Sequence, residues 1–362
     1  MTGIRTAIAR LGTLVGAACV MLPAAVTAEP APRAPAWRGG TIVAVSENDE
    51  YALRITVDQH YSNGMRLVWL SEPVAAAPAD PLAWAHRIAG AIPGFATRPG
   101  TLRLGVALGH NIYTAADTRR AVPDPRDRPY AGWLYGGVAL VNDAADRASG
   151  AGVIETLELT LGLVGPSAQG KQLQNFWHGL INYPQAMGWD SQLRDEPGIG
   201  LTYARAWRHP IARETDPEAA EFAGLGLDIV PHAVAGLGNV ATYAATGAML
   251  RLGTRLAEDY GPPRTRPALA GIAAPAGADR VGGYLFTGFE TRLVGRDIFL
   301  DGTMFREGPR VDRRPLVTDA MAGLAVTWRD WKASFTYHWR GREFETQGPG
   351  DRFGAFSLGA RF

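Results

Sequence analysis

A small set of polar residues in the first half of this 362-residue chain has the makings of a hydrolytic site. Asn48 and Asp49 follow an apolar run, Ser62 sits in Tyr61-Ser62-Asn63-Gly64, and His110-Asn111-Ile112-Tyr113 and Asp127-Arg128-Pro129-Tyr130-Ala131-Gly132 come next. Gln174 and His178 follow, one helical turn apart. Ester hydrolysis needs an activated water, a stabiliser for the oxyanion and placement of the carbonyl. A neutral imidazole, with an ordinary pKa near ~6.5, suits the first task at ambient pH. Amide, carboxylate and hydroxyl groups suit the others.

These residues must be brought together by the elements between them. Alternation of period two recurs in twelve segments, near 40–47, 61–70, 101–113, 130–141, 152–164, 199–208, 224–236, 243–255, 282–293, 317–328, 331–341 and 353–362. In 101–113, Leu102, Leu104, Val106, Leu108 and Ile112 oppose Arg103, Gly105, Ala107, Gly109, Asn111 and Tyr113. In 331–341, five residues from Trp331 to Trp339 oppose Lys332, Ser334, Thr336, His338 and Arg340. Periodicity alone fits either a soluble sandwich or a transmembrane barrel. The even strand count and the last strand, which alternates up to a terminal Phe362 like a barrel-assembly signal, favour an all-β transmembrane antiparallel barrel of about 12 strands. The assembly machinery that inserts such barrels is the partner this signal implies.

The N-terminus agrees with export. Arg5 and Arg10 precede an apolar run over 11–25, and Val26-Thr27-Ala28 has a signal-peptidase form, so residues 1–28 are expected to be a signal peptide and 29–362 the barrel domain. Cys19, the only cysteine, lies in that segment; a lipoprotein site is the rival reading. Taking Arg5 and Arg10 from the 36 Lys and Arg leaves 34 against 35 Asp and Glu, so no basic surplus points to nucleic acid. With 44 glycines and 10 tryptophans, the chain has residues for packed lumen walls and interfacial girdles.

With periplasmic termini, the connections 48–60, 114–129 and 165–198 are extracellular, and every candidate residue falls at the outer rim. Connections 71–100 and 256–281 are long for the periplasmic side, and Leu82–Ile92 has the pattern of a short helix. The spacing predicts a helix over 169–182: Leu173, Phe176, Trp177, Leu180 and Ile181 make an apolar stripe, and Lys171, Gln174 and His178 share the other side. That spacing predicts a polar face, with His178 on it, held over the barrel mouth.

Ser46-Glu47-Asn48-Asp49, Tyr61-Ser62-Asn63-Gly64, Asn111-Ile112-Tyr113, the 127–132 run and Gly165-Pro166-Ser167-Ala168-Gln169-Gly170, followed by Gln174-Asn175 and His178, resemble the signature of the outer-membrane lipid A 3'-O-deacylase family. The match spans 40–200 in order and spacing; beyond it only the strand pattern carries the likeness. The resemblance implies a twelve-stranded barrel that hydrolyses the ester holding the 3'-linked acyloxyacyl group on lipid A, with Ca²⁺ in the site. It gives catalytic parts to Asn48, Asp49, Ser62, His178 and Gln174. Ca²⁺ favours oxygen ligands, so Asp49 and Asn48 are the expected metal residues, leaving the histidine as base. Arg119, Arg120 and Arg128, with Tyr130 and Asn111, are the expected substrate-binding residues, since guanidinium groups pair well with the lipopolysaccharide phosphates. Outer-membrane lipids would border the site. Two departures stand out: Ser62 where threonine is frequent, and Pro184 where a branch of the family has a carboxylate after the helix histidine; either Asp190 or Asp195 substitutes from a shifted loop, or that contact is dispensable. Two other functions stay open on the same architecture: a phospholipase with Ser62 as nucleophile, and a non-enzymatic pore or adhesin.

Overall fold

The computed structural model describes residues 39–51, 60–146, 149–212, 224–266 and 278–362. The expected signal peptide and the tip of the first outer connection lie outside these residues.

Twelve antiparallel strands close into one barrel. They are β1 (Gly40–Asn48), β2 (His60–Ser71), β3 (Thr101–Thr114), β4 (Ala131–Ala145), β5 (Gly152–Val164), β6 (Glu196–Ala212), β7 (Gly226–Gly238), β8 (Ala241–Gly253), β9 (Ala278–Asp297), β10 (Leu316–Arg329), β11 (Trp331–Arg340) and β12 (Arg352–Arg361). Closure comes from β1 pairing with β12, Thr41 opposite Arg361 and Asn48 opposite Gly354. Phe362 and Gly40 exchange backbone hydrogen bonds of 3.0 and 3.2 Å, so the terminal aromatic is part of the seam. Closure leaves no strand edge to be satisfied in lipid.

Alternation sorts the side chains. Leu67, Leu108, Leu161, Leu285 and Phe356 stand exposed on the outside, and Trp328 and Trp331 flank the tight β10–β11 turn as interfacial anchors. On β11 the inward residues Lys332, Ser334, Thr336 and His338 are all buried. No helix among the described residues is long and apolar enough to span a membrane, so the strands are the spanning elements.

The lumen is packed with ion pairs. Arg66 grips Glu158 with two 2.6 Å bonds, Arg251 pairs with Asp228 and Asp259, and Arg292 and Arg340 converge on Asp319. In the long connection after β8 the described residues, 254–266, form no strand; they turn inward and climb the lumen. Tyr260 reaches Asp143 near the inner end of β4 at 2.9 Å, whereas Thr265 bonds Glu47 near the outer end of β1. The cavities left along the lumen are small, about 50 and 140 Å³. Among the described residues, ion pairs and this strap occupy much of the interior.

Two helices pack on the outside of the wall. Helix α1 (Trp84–Ala91), inside the span that the sequence pattern marks, buries Ala85 and Ala89 against Leu102, Leu104 and Leu140 near the periplasmic end. Helix α2 (Gly170–Ile181) lies against the outer end of β3 and β4.

Candidate functional site

Strand register decides which side of the wall each candidate occupies. Asn111 and Tyr113 line the luminal cavity, with Glu47 and Tyr61 beside them. Ile112, between them, therefore points outward, and it is 1% exposed because Leu173 of α2, Tyr130, Ala186 and Trp189 cover it. His110, also outward, donates from Nε2 to the Ala168 carbonyl at 2.7 Å just before α2. The helix thus lies on the lipid side of the wall rather than over the mouth, as the stripe pattern had suggested.

Its orientation is the reverse of that in a water-facing helix. Phe176 and Leu180 are each 64% exposed, while Gln174 and His178 are 4% and 2% exposed. Phe176 and Leu180 of the apolar stripe face outward, while Leu173 stays on the wall; an apolar outer face suits lipid, and Gln174 and His178 turn to the protein. A close approach makes this possible: a Cβ on Gly132 of β4 would lie 3.0 Å from the Gly170 backbone nitrogen, so only glycines let the helix start touch the strand.

Inside that interface Gln174 Oε1 accepts from Trp189 Nε1 at 2.7 Å. The helix ends at Asn182 in a left-handed conformation, φ 57°, and the reversed chain brings the Pro184 carbonyl 2.7 Å from His178 Nδ1. A carbonyl oxygen can only accept, so the proton is on Nδ1 and Nε2 carries the lone pair. The backbone of Pro184 therefore supplies the oxygen contact at the position where a carboxylate was missed. Asp190 pairs with Lys171, and Asp195 caps Ser167 with bonds of 2.8 and 2.9 Å; neither substitutes for it.

The β1–β2 ends complete the outward face. Asn48, 3% exposed, sits opposite Asn63 and accepts from the Glu50 N–H at 2.7 Å; Asp49, 5% exposed, starts a short turn. A bulge falls between Tyr61 and Asn63. Tyr61 and Gly64 both face the lumen, so the extra residue leaves Ser62 and Asn63 consecutively on the outer side. Ser62 Oγ lies 2.7 Å from Thr114 Oγ1, a partner that the sequence motif did not single out.

Oxygen donors dominate here. Among the described residues no group of three or more His, Cys, Asp or Glu converges. The Asn63 side-chain oxygen is buried without a hydrogen-bond partner beside Asn48. One carboxylate with amide oxygens fits a hard cation such as Ca²⁺ and not a thiolate- or imidazole-seeking metal.

The remaining candidates are elsewhere. Arg128 is buried in the lumen, where Nη2 donates to Glu343 Oε2 at 2.7 Å and the guanidinium lies over Tyr113, so it pins the loops and is not presented to a phosphate. Asn111 faces the luminal cavity, away from His178. Tyr130 is fully buried, edge-on to Trp189 at 5.3 Å, and is neither a girdle nor an exposed contact residue. Arg119 and Arg120 are exposed on the outer loop; Arg119 pairs with Asp117 at 3.2 Å. His60, which the sequence gave no role, clamps two loops, with Nδ1 2.6 Å from Asp351 and Nε2 3.2 Å from Asp127. Burial opposes the charge on Asp127, but the bond from His60 and the N–H groups of Ala116 and Arg128 hold its carboxyl below the usual range.

Below the site an apolar groove of about 600 Å³ runs down the lipid side of β12, β1, β2 and β3, floored by Ala44, Ser46 and Gly109 and walled by Met65, Leu67, Leu134, Phe356 and Leu358.

A twelve-stranded barrel with a polar site under a loop helix can now be compared with known proteins. The family model described as "Outer membrane protein LpxR" matches residues 14–362. This chain belongs to the LpxR family. It is a bacterial outer-membrane barrel. Among solved structures, LpxR from Salmonella typhimurium superposes with a TM-score of 0.68 at 18% identity, covering 89% of this chain and 100% of that one. At that identity the likeness concerns the fold. The β domain of the Bordetella autotransporter BrkA also matches, at TM-score 0.44 and 12% identity, over 90% of this chain and 98% of its own. No curated protein sequence matches this LpxR-family chain.

Proposed function

We propose that this LpxR-family protein is a carboxylic ester hydrolase that removes the 3'-O-linked acyloxyacyl group from lipid A. The observation that carries the reading is a buried histidine, oriented by the Pro184 carbonyl, on the lipid side of the wall and not in the lumen. A water-soluble substrate would have no reason to be met there. A lipid in the outer leaflet reaches that face directly, and the groove beneath is apolar enough for its acyl chains.

His178 Nε2 takes a proton from water, whose oxygen attacks the ester carbonyl. As the tetrahedral intermediate collapses, the C–O bond to the sugar 3'-oxygen breaks and the imidazolium returns the proton to that oxygen, releasing a free acid and a sugar hydroxyl. Ser62, with its hydroxyl held by Thr114, serves the developing oxyanion. Gln174 anchors Trp189 and so keeps the 183–193 loop against the helix. Asp49, with Asn48 and Asn63 oxygens, would hold Ca²⁺, which supplies Lewis-acid polarisation of the carbonyl. Arg119 and Arg120, exposed on the outer loop, are basic residues available to lipid A phosphates.

Purified protein in detergent with Ca²⁺ should lower the mass of lipid A by one acyloxyacyl group, and chelation should stop it. Lipid A left at full mass, or full activity in His178→Ala, overturns the reading. The Ser62–Thr114 bond speaks against a serine nucleophile activated by His178. Stoichiometric labelling of Ser62 by a fluorophosphonate would reinstate the phospholipase alternative.

A further inference from the structure

The strap formed by residues 254–266 ends on the back of the same wall that carries the site. Five steps of chain, from Tyr260 to Thr265, span at most ~17 Å and run from a contact near the inner end of β4 to one near the outer end of β1. Thr265 is 1% exposed, and its polar atoms all bond to the wall. Its N–H donates to Glu47 Oε1 at 3.1 Å and its hydroxyl to Glu47 Oε2 at 2.7 Å. The Tyr61 hydroxyl, 2.9 Å from Thr265 Oγ1, donates to the same Glu47 oxygen at 2.8 Å. The Thr265 carbonyl accepts from Tyr135 at 2.8 Å and from Arg66 at 3.2 Å.

Glu47 and Tyr61 are the inward neighbours of Asn48 and Ser62 on their strands. A side chain held on one face of a strand fixes the φ and ψ that aim the next side chain at the other. The cross-strand partner of Glu47 is Gly64, and a Cβ there would lie 1.9 Å from Tyr61 Oη and 3.2 Å from the Thr265 methyl, so the room for this arrangement is built into β2.

We propose that Thr265 is a positioning residue: through Glu47 and Tyr61, the tip of the luminal strap fixes the strand ends that carry Asn48, Asp49 and Ser62. The strap 254–266 then has a purpose besides filling the lumen, since it makes the geometry of a lipid-side site depend on a segment that enters from the inner end of the barrel. The inference rests on the ester-hydrolase reading for its kinetic consequence, but its structural content does not.

The test uses the full chain in detergent. Thr265→Val keeps the shape and removes the hydroxyl; Thr265→Ser keeps the hydroxyl. With lipid A and Ca²⁺, the Val variant should lose about tenfold in kcat at unchanged KM, and the Ser variant should match the wild type. Hydrogen exchange followed by mass spectrometry should quicken over 44–49 and 60–64 in the Val variant, and not in β7 or β8. Wild-type kcat and exchange in the Val variant, a change confined to KM, or a Ser variant as impaired as Val would each overturn the proposal. If the wild type leaves lipid A intact, the ester reading has failed, and the exchange comparison alone still decides the role of the strap. Should the Val variant not fold, Gly64→Ala takes its place in the exchange measurement, with the same local quickening expected.

Discussion

The two helices on the outside of this barrel lie towards opposite ends of the wall, and they differ in what they bury. Helix α1 presses Ala85 and Ala89 on the wall and shows Trp84 and Ile88 outward. Helix α2 shows Phe176 and Leu180 outward but buries Gln174 and His178. Burying an amide and an imidazole costs free energy unless each is bonded, and both are, one to Trp189 and one to the Pro184 carbonyl. Helix α1 also has an imidazole bonded to a carbonyl, His86 to Val74 at 2.9 Å, but that ring is only half-buried and alanines make the seat on the wall, whereas α2 buries both of its polar side chains almost completely. The proposed ester-hydrolase reading builds on that contrast.

Replacing the base should have the largest effect. His178→Ala is expected to lower the rate of lipid A ester cleavage by ~10²–10⁴ while the heat-modifiable mobility of the folded barrel stays the same. A smaller loss is expected when the helix is pushed from its seat. The Gly132→Ala methyl meets the Gly170 backbone at 3.0–3.1 Å, which cannot yield without moving α2, so activity should fall together with faster exchange over 170–181. Gln174→Leu leaves the buried Trp189 Nε1 without its acceptor, at a local cost of ~1–3 kcal/mol, and should loosen 183–193 with a partial loss of rate. Acid should act on the outer clamp. The Asp127 carboxyl is held below its usual range, so its contribution to stability is present above pH ~4 and is lost as pH falls through the depressed value; thermal unfolding of wild type, but less so of Asp127→Asn, should drop in that window. The smallest effect on activity belongs to α1: Ala85→Glu should free that helix in exchange measurements and leave ester cleavage unchanged. If cleavage fell with it, the distinction between the two helices would be lost.

The strap and the clamp show why parts of the molecule could not be read from one dimension. Glu47 and Thr265 are 218 positions apart, and His60 and Asp351 are separated by 291. No spacing rule links them. Arg128 has the composition of a phosphate ligand, but alternation past the β3 rim and the approach of Glu343 from the β11–β12 loop put it in the lumen. Pro184 looked like a gap because the contact that replaces the carboxylate is made by a backbone carbonyl, which every residue has.

The amino-acid sequence by itself determined the strand segments, their even count and the amphipathic helix over 169–182, because period-two hydropathy and the 3.6-residue stripe are local properties of the chain; the last strand, alternating up to Phe362, tipped the reading from sandwich to barrel. Tertiary structure alone decided which side of the wall the site faces, which helix face is buried, and what fills the lumen. These depend on strand register, on one bulge at Ser62 and on contacts between distant segments, where a shift of a single residue turns every side chain to the opposite face.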